Sequence, residues 1–362
     1  MSRWLQVYVT PPAVFVSVIM GGGYGTGREV VEFFSRYGSS GGLLGILVAT
    51  LVFATVFGLT FDFARRMGTY EYREFFQRLI GPLWWTFEVL YLLLFLLVLG
   101  VLSSAASNIL STRFQIPSNF GLALMLALVA SMVFFGRQIL ERILTGWMFA
   151  MYGVFILYFF FMLQQFDGAL VSQHFTAAQD ADAVTGGALY ALYNVALAPV
   201  LLFAVRGIET RKEALGCGLV TAVLIMLPAA MFHISFALGL PEILDEAVPV
   251  YWMIEQYAPA WMLPVYLIAL LGTLAQTGAG LVQGVIERIE FALMPDQDDA
   301  MSHWARALIA MAALGISAGF ASLGIISLIA KGYSAMAIGF AVVYVIPLLT
   351  ISYFKKSRTE ES

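Results

Sequence analysis

Apolar runs of about 20 residues, each long enough to cross a bilayer, recur along the whole chain with short polar connections between them. The pattern predicts ten membrane-spanning helices, at roughly 11–36, 41–64, 82–111, 118–136, 138–163, 186–207, 212–238, 261–291, 302–321 and 333–354. Two connecting segments carry a different pattern. "TYEYREFFQRLI" at 69–80 mixes aromatic and charged residues and reads as an interfacial amphipathic helix, and 242–259 is similar but acidic. The expected class is an all-α polytopic membrane protein.

Two of these runs are damaged as helices. "MGGGYGTGREV" at 20–30 places five glycines among the seven positions 21–27, in the middle of the first span. Each glycine costs about 1 kcal/mol of helix propensity relative to alanine. The run "GGALYALYNVALAPVLLFAVRGIE" at 186–209 is interrupted at a similar depth by Asn194 and Pro199. Pro199 has no amide proton, and its ring crowds the carbonyl of Val195. Ten spans with a longer connection after the fifth suggest two halves of five. Since five is odd, the second half enters the membrane from the other side, as in the inverted repeats of transporters. The expected units are 1–163 (spans one to five), 164–185 (an extracellular connection), 186–354 (spans six to ten) and a tail at 355–362. Each half then opens with a helix that comes apart at mid-membrane. Freed backbone groups there must face protein or a watery cavity, where they bind ions and charged solutes. The competing expectation is close packing of intact helices through the pairs Gly21/Gly25 and Gly23/Gly27, with Pro199 only a kink.

Composition agrees with the pattern: 60% of residues are hydrophobic, 12% are charged and mean hydropathy is +0.86. The single Cys217 excludes an intrachain disulfide, and His174, His233 and His303 fall in different segments, against a zinc site. The first apolar run continues into the glycines with no cleavage region, so no cleavable signal peptide is expected. Of the 19 Lys and Arg residues, 15 fall on one set of alternating connections and the two tails. Only Arg28, Arg36, Arg113 and Lys331 fall on the other side. The positive-inside rule then puts both termini in the cytoplasm. There is no HExxH, no GxSxG elbow and no Walker A loop, so neither an enzyme nor an ATP-driven pump is expected.

The stretch "GGGYGTGREVVEFF" at 21–34 resembles the first-span signature of the YkvI-like bacterial membrane proteins. That signature runs close to G-A-G-F-A-S/T-G-Q-E, then an apolar stretch and Phe-Phe. "LIAKGYSAMAIGFAVVYVIPLLTI" at 328–351 is similar to the last span of the same family, with its Ala-Lys-Gly-Tyr entry and Ile-Pro-Leu-Leu. The resemblance covers nearly the whole chain. It implies membership of the amino acid–polyamine–organocation (APC) superfamily and a LeuT-type 5+5 inverted-repeat fold with broken helices 1 and 6. Where the signature has Gln this chain has Arg28, so no polar role carries over to that position.

The resemblance also implies where a solute would sit. In LeuT-type proteins it lies between the unwound parts of spans one and six, facing spans three and eight. Carried over, this points to Gly21, Gly23, Tyr24 and Gly25 in span one, and to Tyr190, Tyr193, Asn194 and Ala198 in span six. Tyr91 and Leu94 of span three face them. In span eight, Thr273, Gln276 and Thr277 are spaced i, i+3, i+4 and share one helical face. With the carbonyls of Ile19 and Gly22 they resemble the sodium site of the superfamily. The alternative for the threonines is a hydrogen bond back to their own helix. Glu29 and Glu88 are ionisable residues inside spans and therefore candidates for proton transfer or gating. Asp62 and Glu287, near the cytoplasmic ends, are expected to pair with neighbouring arginines.

The expected function is secondary active transport of a small polar solute (an amino acid, amine or osmolyte) by alternating access, coupled to Na+ or H+. Expected partners are that solute and membrane lipid, with no nucleic acid, no cofactor beyond a possible Na+ ion, and no legible protein partner. The rivals are a channel and a sensor that keeps the fold without transporting.

Overall fold

The computed structural model describes residues 3–19, 21–134, 137–166, 182–293 and 301–351. Most of the 164–185 connection and the 355–362 tail lie outside them. Among the described residues every regular element is helical. The chain begins with α1 (Arg3–Tyr8), α2 (Thr10–Ile19), α3 (Gly22–Thr26) and α4 (Arg28–Phe33). Then come the long α5 (Gly38–Met67), the short α6 (Tyr72–Ile80) and α7 (Trp85–Phe114), followed by α8 (Ser118–Phe134) and α9 (Arg137–Leu163). The remainder holds α10 (Asp182–Asn194), α11 (Leu197–Val200), α12 (Arg211–Phe236), α13 (Pro249–Tyr257), α14 (Met262–Leu293), α15 (His303–Ala321) and a helical run α16 (Ile325–Thr350) that is π-helical in two places.

Seven helical stretches among the described residues are long and apolar enough to cross a membrane, and two apolar helices are shorter, Asn119–Phe134 and Ala150–Leu163. The predicted first span is not one of the seven by itself, for a physical reason. Its pieces are 10, 5 and 6 residues long, each far below the roughly 20 that a membrane crossing takes, and only the last is counted, as the start of the stretch Arg28–Met67. The 69–80 segment appears as the amphipathic α6, capped by the Glu71 side chain, which accepts from the Glu74 amide at 3.0 Å. The acidic segment supplies α13, begun by Pro249 at its first turn.

The side chains on the outside of the bundle are apolar and exposed, Leu51, Ile268, Ile338 and Trp304 among them, as lipid contact requires. Inside, helix α5 is the packing axis, lying along both α10 and α12. It approaches them through glycine. A Cβ placed on Gly187 of α10 would come within 2.8 Å of the Gly45 Cα, and one on Gly218 of α12 within 2.8 Å of the Gly58 Cα. Both obstacles are backbone, which cannot swing aside. Small residues that let helices touch in this way are a standard source of cohesion where lipid removes the hydrophobic drive between helices. At one end of the bundle, Arg3 bridges to Glu209 (2.7 Å) and Glu213 (2.8 Å), and Glu213 closes a capping box with Thr210 at the start of α12. Arg65 and Arg66 pair with Asp62 at the same end, as expected; the Glu287 side chain lies outside the described residues.

Gly187→Ala and Gly218→Ala are each expected to cost about 1–3 kcal/mol through overpacking against backbone. Gly315→Ala, whose Cβ meets open space, is expected to be neutral or slightly stabilising. Melting temperatures of the three purified variants check the contrast.

Candidate functional site

The first helix breaks where its glycines lie. Helix α2 stops at Ile19, Gly21 is extended (φ −72°, ψ −152°), α3 runs for five residues and Gly27 adopts φ +77° before α4 starts. Gly27 is required twice. Its left-handed backbone suits only glycine, and a Cβ there would lie 2.7 Å from Phe236 and Val250. The break is held from outside as well. Tyr266 donates to the Gly25 carbonyl at 2.6 Å, and Thr26 donates to the Gly23 carbonyl at 3.0 Å. The second break lies where Asn194 and Pro199 predict it. Helix α10 ends at Asn194, whose side-chain amide donates to the Tyr190 carbonyl at 3.1 Å, and the chain resumes as the one-turn α11 and a short 3-10 turn. Broken helices, rather than intact ones packed on glycine, are what the sequence builds here.

The two breaks border one cavity of about 280 Å³. Its wall takes Ile19, Gly21, Gly23 and Glu29 from the first broken helix, Tyr193 and Asn194 from the second, Tyr91 and Leu94 from α7, and Gln276 and Thr277 from α14. Thr277 packs directly on the break, because a Cβ on Gly21 would sit 2.6 Å from its Oγ1. The remaining expected residues stand behind the wall and are structural in their contacts. The Tyr24 hydroxyl donates to the Ile225 carbonyl at 2.6 Å, and Gly25 faces Leu270. Tyr190 packs among Tyr24, Phe33, Phe34, Phe53 and Tyr193. Ala198 is not in the wall, and the surroundings of Gly22 lie outside what the structure describes. Thr273 donates to the Ala269 carbonyl one turn back and accepts from Trp147, the self-satisfied arrangement weighed as the alternative. Glu88 is not in the wall but behind it, 3.6 Å from Arg288, which is sandwiched between the rings of Tyr72 and the wall residue Tyr91.

Several wall residues are not singled out by the sequence, Gln283, Tyr333 and Phe203 among them. Gln283 continues the face of Gln276 two turns on, so extending the i, i+3, i+4 series to i+7 finds it. Tyr333 arrives on a π-helical segment of α16 and leaves no linear signal. Phe203 belongs to the 3-10 turn after α11.

Among the described residues Glu29 is the one carboxylate in this wall, and it is only 6% exposed. Its side chain folds back over the break, so that a Cβ on Gly23 would overlap its carboxyl group. The Tyr193 hydroxyl faces the same carboxylate, yet makes no hydrogen bond of good geometry. Arg28, its neighbour in sequence, points elsewhere. It pairs with Glu32 at 2.8 Å and donates to the carbonyls of Leu244 (2.6 Å) and Glu246 (3.1 Å). Arg36 holds the other oxygen of Glu32. Burial, with Asp245 and Glu255 nearby, raises the Glu246 carboxyl above its ordinary range. His233 ties α12 to the start of α5, its Nε2 donating to the Ser39 carbonyl at 2.8 Å and its Nδ1 bonded to Ser35 at 2.9 Å. The 242–257 segment is thereby strapped to Arg28, beside Glu29 on the same helix. The cavity runs past Leu201, Gly284 and the half-exposed Phe203, towards the end where Arg3 and Arg65 lie.

Gly23→Ala is expected to displace the Glu29 carboxylate while leaving the fold, because the obstacle is the tip of a flexible side chain. For any solute in a panel of amino acids, amines and osmolytes that raises the melting temperature of the wild type, affinity should fall about tenfold, or about 1.4 kcal/mol. Gly25→Ala, which meets Leu270 instead, should leave affinity within about twofold.

No protein-family model matches the chain. It is 24% identical over 286 residues to the membrane protein YkvI of Bacillus subtilis (strain 168), covering 76% of this chain and 79% of YkvI. Two kinds of solved structure are similar in fold at 14% identity, each matching 95% of this chain. One is a Na+-coupled sialic acid symporter, with a TM-score of 0.61 and 80% of that chain covered. The other is the manganese transporter of Eremococcus coleocola, at 0.57 and 78%. The YkvI-like resemblance seen in the glycine stretch thus extends over most of the chain, on an all-helical fold shared with LeuT-type transporters.

Proposed function

We propose that this membrane protein is a secondary active transporter that moves a small polar solute, of the amino acid, amine or osmolyte class, by alternating access coupled to Na+ or H+. The observation that carries this is the cavity between the two helix breaks, with a buried carboxylate in its wall. Removing an ionised carboxylate from water costs several kcal/mol unless something positive joins it. A carboxylate kept at membrane depth is therefore an ion or solute site before it is a structural element. At about 280 Å³ the cavity lies near the small end of ligand pockets, which suits a small solute.

The ten-span, 5+5 arrangement belongs to the same proposal. Adding the broken first helix and the two shorter apolar helices to the seven long stretches gives ten crossings, with α2 to α4 and α10 to α11 opening the two halves. In a prokaryotic inner membrane, the bias of basic residues makes the Arg3 end cytoplasmic. The cavity then faces inward, and the Arg28 strap lies towards the outer side. The solute site comprises Gly21, Gly23, Glu29, Tyr91, Tyr193 and Asn194. For Na+ the face of Gln276 and Thr277 beside Ile19 and Gly21 is the place of entry.

Purified protein in liposomes is expected to show saturable uptake and counterflow of one member of the solute panel. Steady single-channel conductance without counterflow would favour a pore, and solute binding with neither activity would favour a sensor. If Na+ is the coupling ion, replacing it with K+ should lower uptake at least about tenfold, and Thr277→Val should reproduce that loss only in Na+ medium. Equal effects of Thr277→Val in both media would remove Na+ from this face.

A further inference from the structure

The charges around the cavity are one-sided. Among the described residues its wall contains a carboxylate and no lysine, arginine or histidine. Neither Arg28 nor Arg288 belongs to that wall. Arg28 is bound to Glu32 and to the carbonyls of the 242–257 segment. Arg288 stands behind the Tyr91 ring, 4.0 Å from its centroid and 3.6 Å from Glu88, with both terminal nitrogens buried and without a hydrogen-bond partner. The groups that face Glu29 from the packed helices are neutral hydroxyls: Tyr24 of α3, Tyr190 and Tyr193 of α10 and Tyr333 of α16. Helix α14 contributes Gln276, Thr277 and Gln283 to the wall, and Tyr266 is already spent on the Gly25 carbonyl. Helix α12 brings His233 to the far end of α4, where both ring nitrogens are bonded to Ser35 and Ser39.

Three features of the wall favour a cation. The rings of Tyr193 and Tyr333 lie 4.5 Å apart between centroids and present aromatic surface beside the carboxylate. The Tyr193 hydroxyl is buried without a well-formed hydrogen bond. The C-terminal end of α2, the negative end of a helix dipole, arrives at Ile19 in the same wall. Charge balance then decides between solutes. A zwitterion brings its own carboxylate, leaves the site one charge negative, and finds no basic side chain among the described residues of the wall, the Tyr91 ring standing between it and Arg288. A monocation leaves the site neutral. An empty site reaches the same neutrality by taking up a proton, and both ligands need the same two oxygens.

We propose that the solute is a small amine bearing one positive charge and no carboxylate, and that it displaces a proton from Glu29. The exchange is Glu29–COOH plus R–NH3+ giving Glu29–COO−···R–NH3+ plus H+, with the proton released to water on the open side. This rests on the transporter reading above and narrows its solute class. Because one carboxylate holds either ligand but not both, the cycle is an exchange of proton for amine.

The test uses the full-length protein in Na+-free, K+-based buffer with methylamine, n-butylamine, benzylamine and tetramethylammonium, each against alanine, norvaline and phenylglycine. Thermal shift gives dissociation constants at pH 6, 7 and 8, and a pH-indicating dye in weak buffer gives proton release. At least one amine should bind, up to tenfold more tightly for each pH unit gained, with about one proton released per amine at the acid end. The amino acids should bind at least tenfold more weakly. Glu29→Gln should abolish both amine binding and proton release, and Glu29→Asp, which keeps the charge, should retain the pH slope even if Glu29→Gln is poorly folded. Tighter binding of an amino acid, or amine binding without pH dependence, overturns the proposal. So does an amine series in which nothing binds. In each case counterflow of a zwitterion would leave the transporter reading standing, whereas absence of counterflow with every solute would remove that reading too.

Discussion

A backbone amide or carbonyl inside a bilayer has no water to turn to, and most of this structure follows from that constraint. An unbroken helix meets it without help. Here two helices are broken at depth, so every freed group must be met by protein or face a cavity. The protein does both. Tyr266 and Thr26 take up carbonyls of the glycine stretch, Asn194 ends α10 on its own side chain, and the remaining space is enclosed by α7, α14 and α16. The glycines that weaken the helix also admit what surrounds it. Thr277 fits against Gly21, Glu29 folds over Gly23, and Phe236 and Val250 close on Gly27.

The rest of the bundle has to stay rigid around such a gap. Its stiffness comes from α5, which sits against α10 and α12 at backbone distance through Gly45 with Gly187 and Gly58 with Gly218. Aromatic packing adds to it. Phe33, Phe34 and Phe53 surround Tyr190 directly behind the second break, so the loosened strand of α10 leans on a wall of rings rather than on lipid. The polar end of each tyrosine is then a question of partners. Tyr24 has one in the Ile225 carbonyl, while Tyr193 faces the cavity without one.

Much of this was legible in the sequence, because composition and helix breaking act locally. Clustered glycines, and an asparagine five residues before a proline, destabilise a helix wherever they occur, so both breaks fell where they were expected. Glu29 was legible because a carboxylate in an apolar run is costly in any fold. The face of α14 was half legible: Gln276 and Thr277 reach the cavity, but Thr273 turns to its own helix and to Trp147, a choice between partners that spacing does not encode. Tyrosines were the hardest to place. Tyr24, Tyr190, Tyr193 and Tyr333 are all fully or nearly fully buried, and only the angle at which each helix enters the bundle separates wall from packing. The i, i+4 pair of Arg28 with Glu32 is local, but the carbonyls of Leu244 and Glu246 that Arg28 also holds lie more than 200 positions away.

Arg28 and Glu29 are consecutive residues on one turn of a six-residue helix, and they point in different directions. One grips the 242–257 segment, and the other stands in the cavity wall. All six residues of this stub are buried, so the wall of the cavity and the anchor of that segment stand on the same rigid turn, one peptide unit apart.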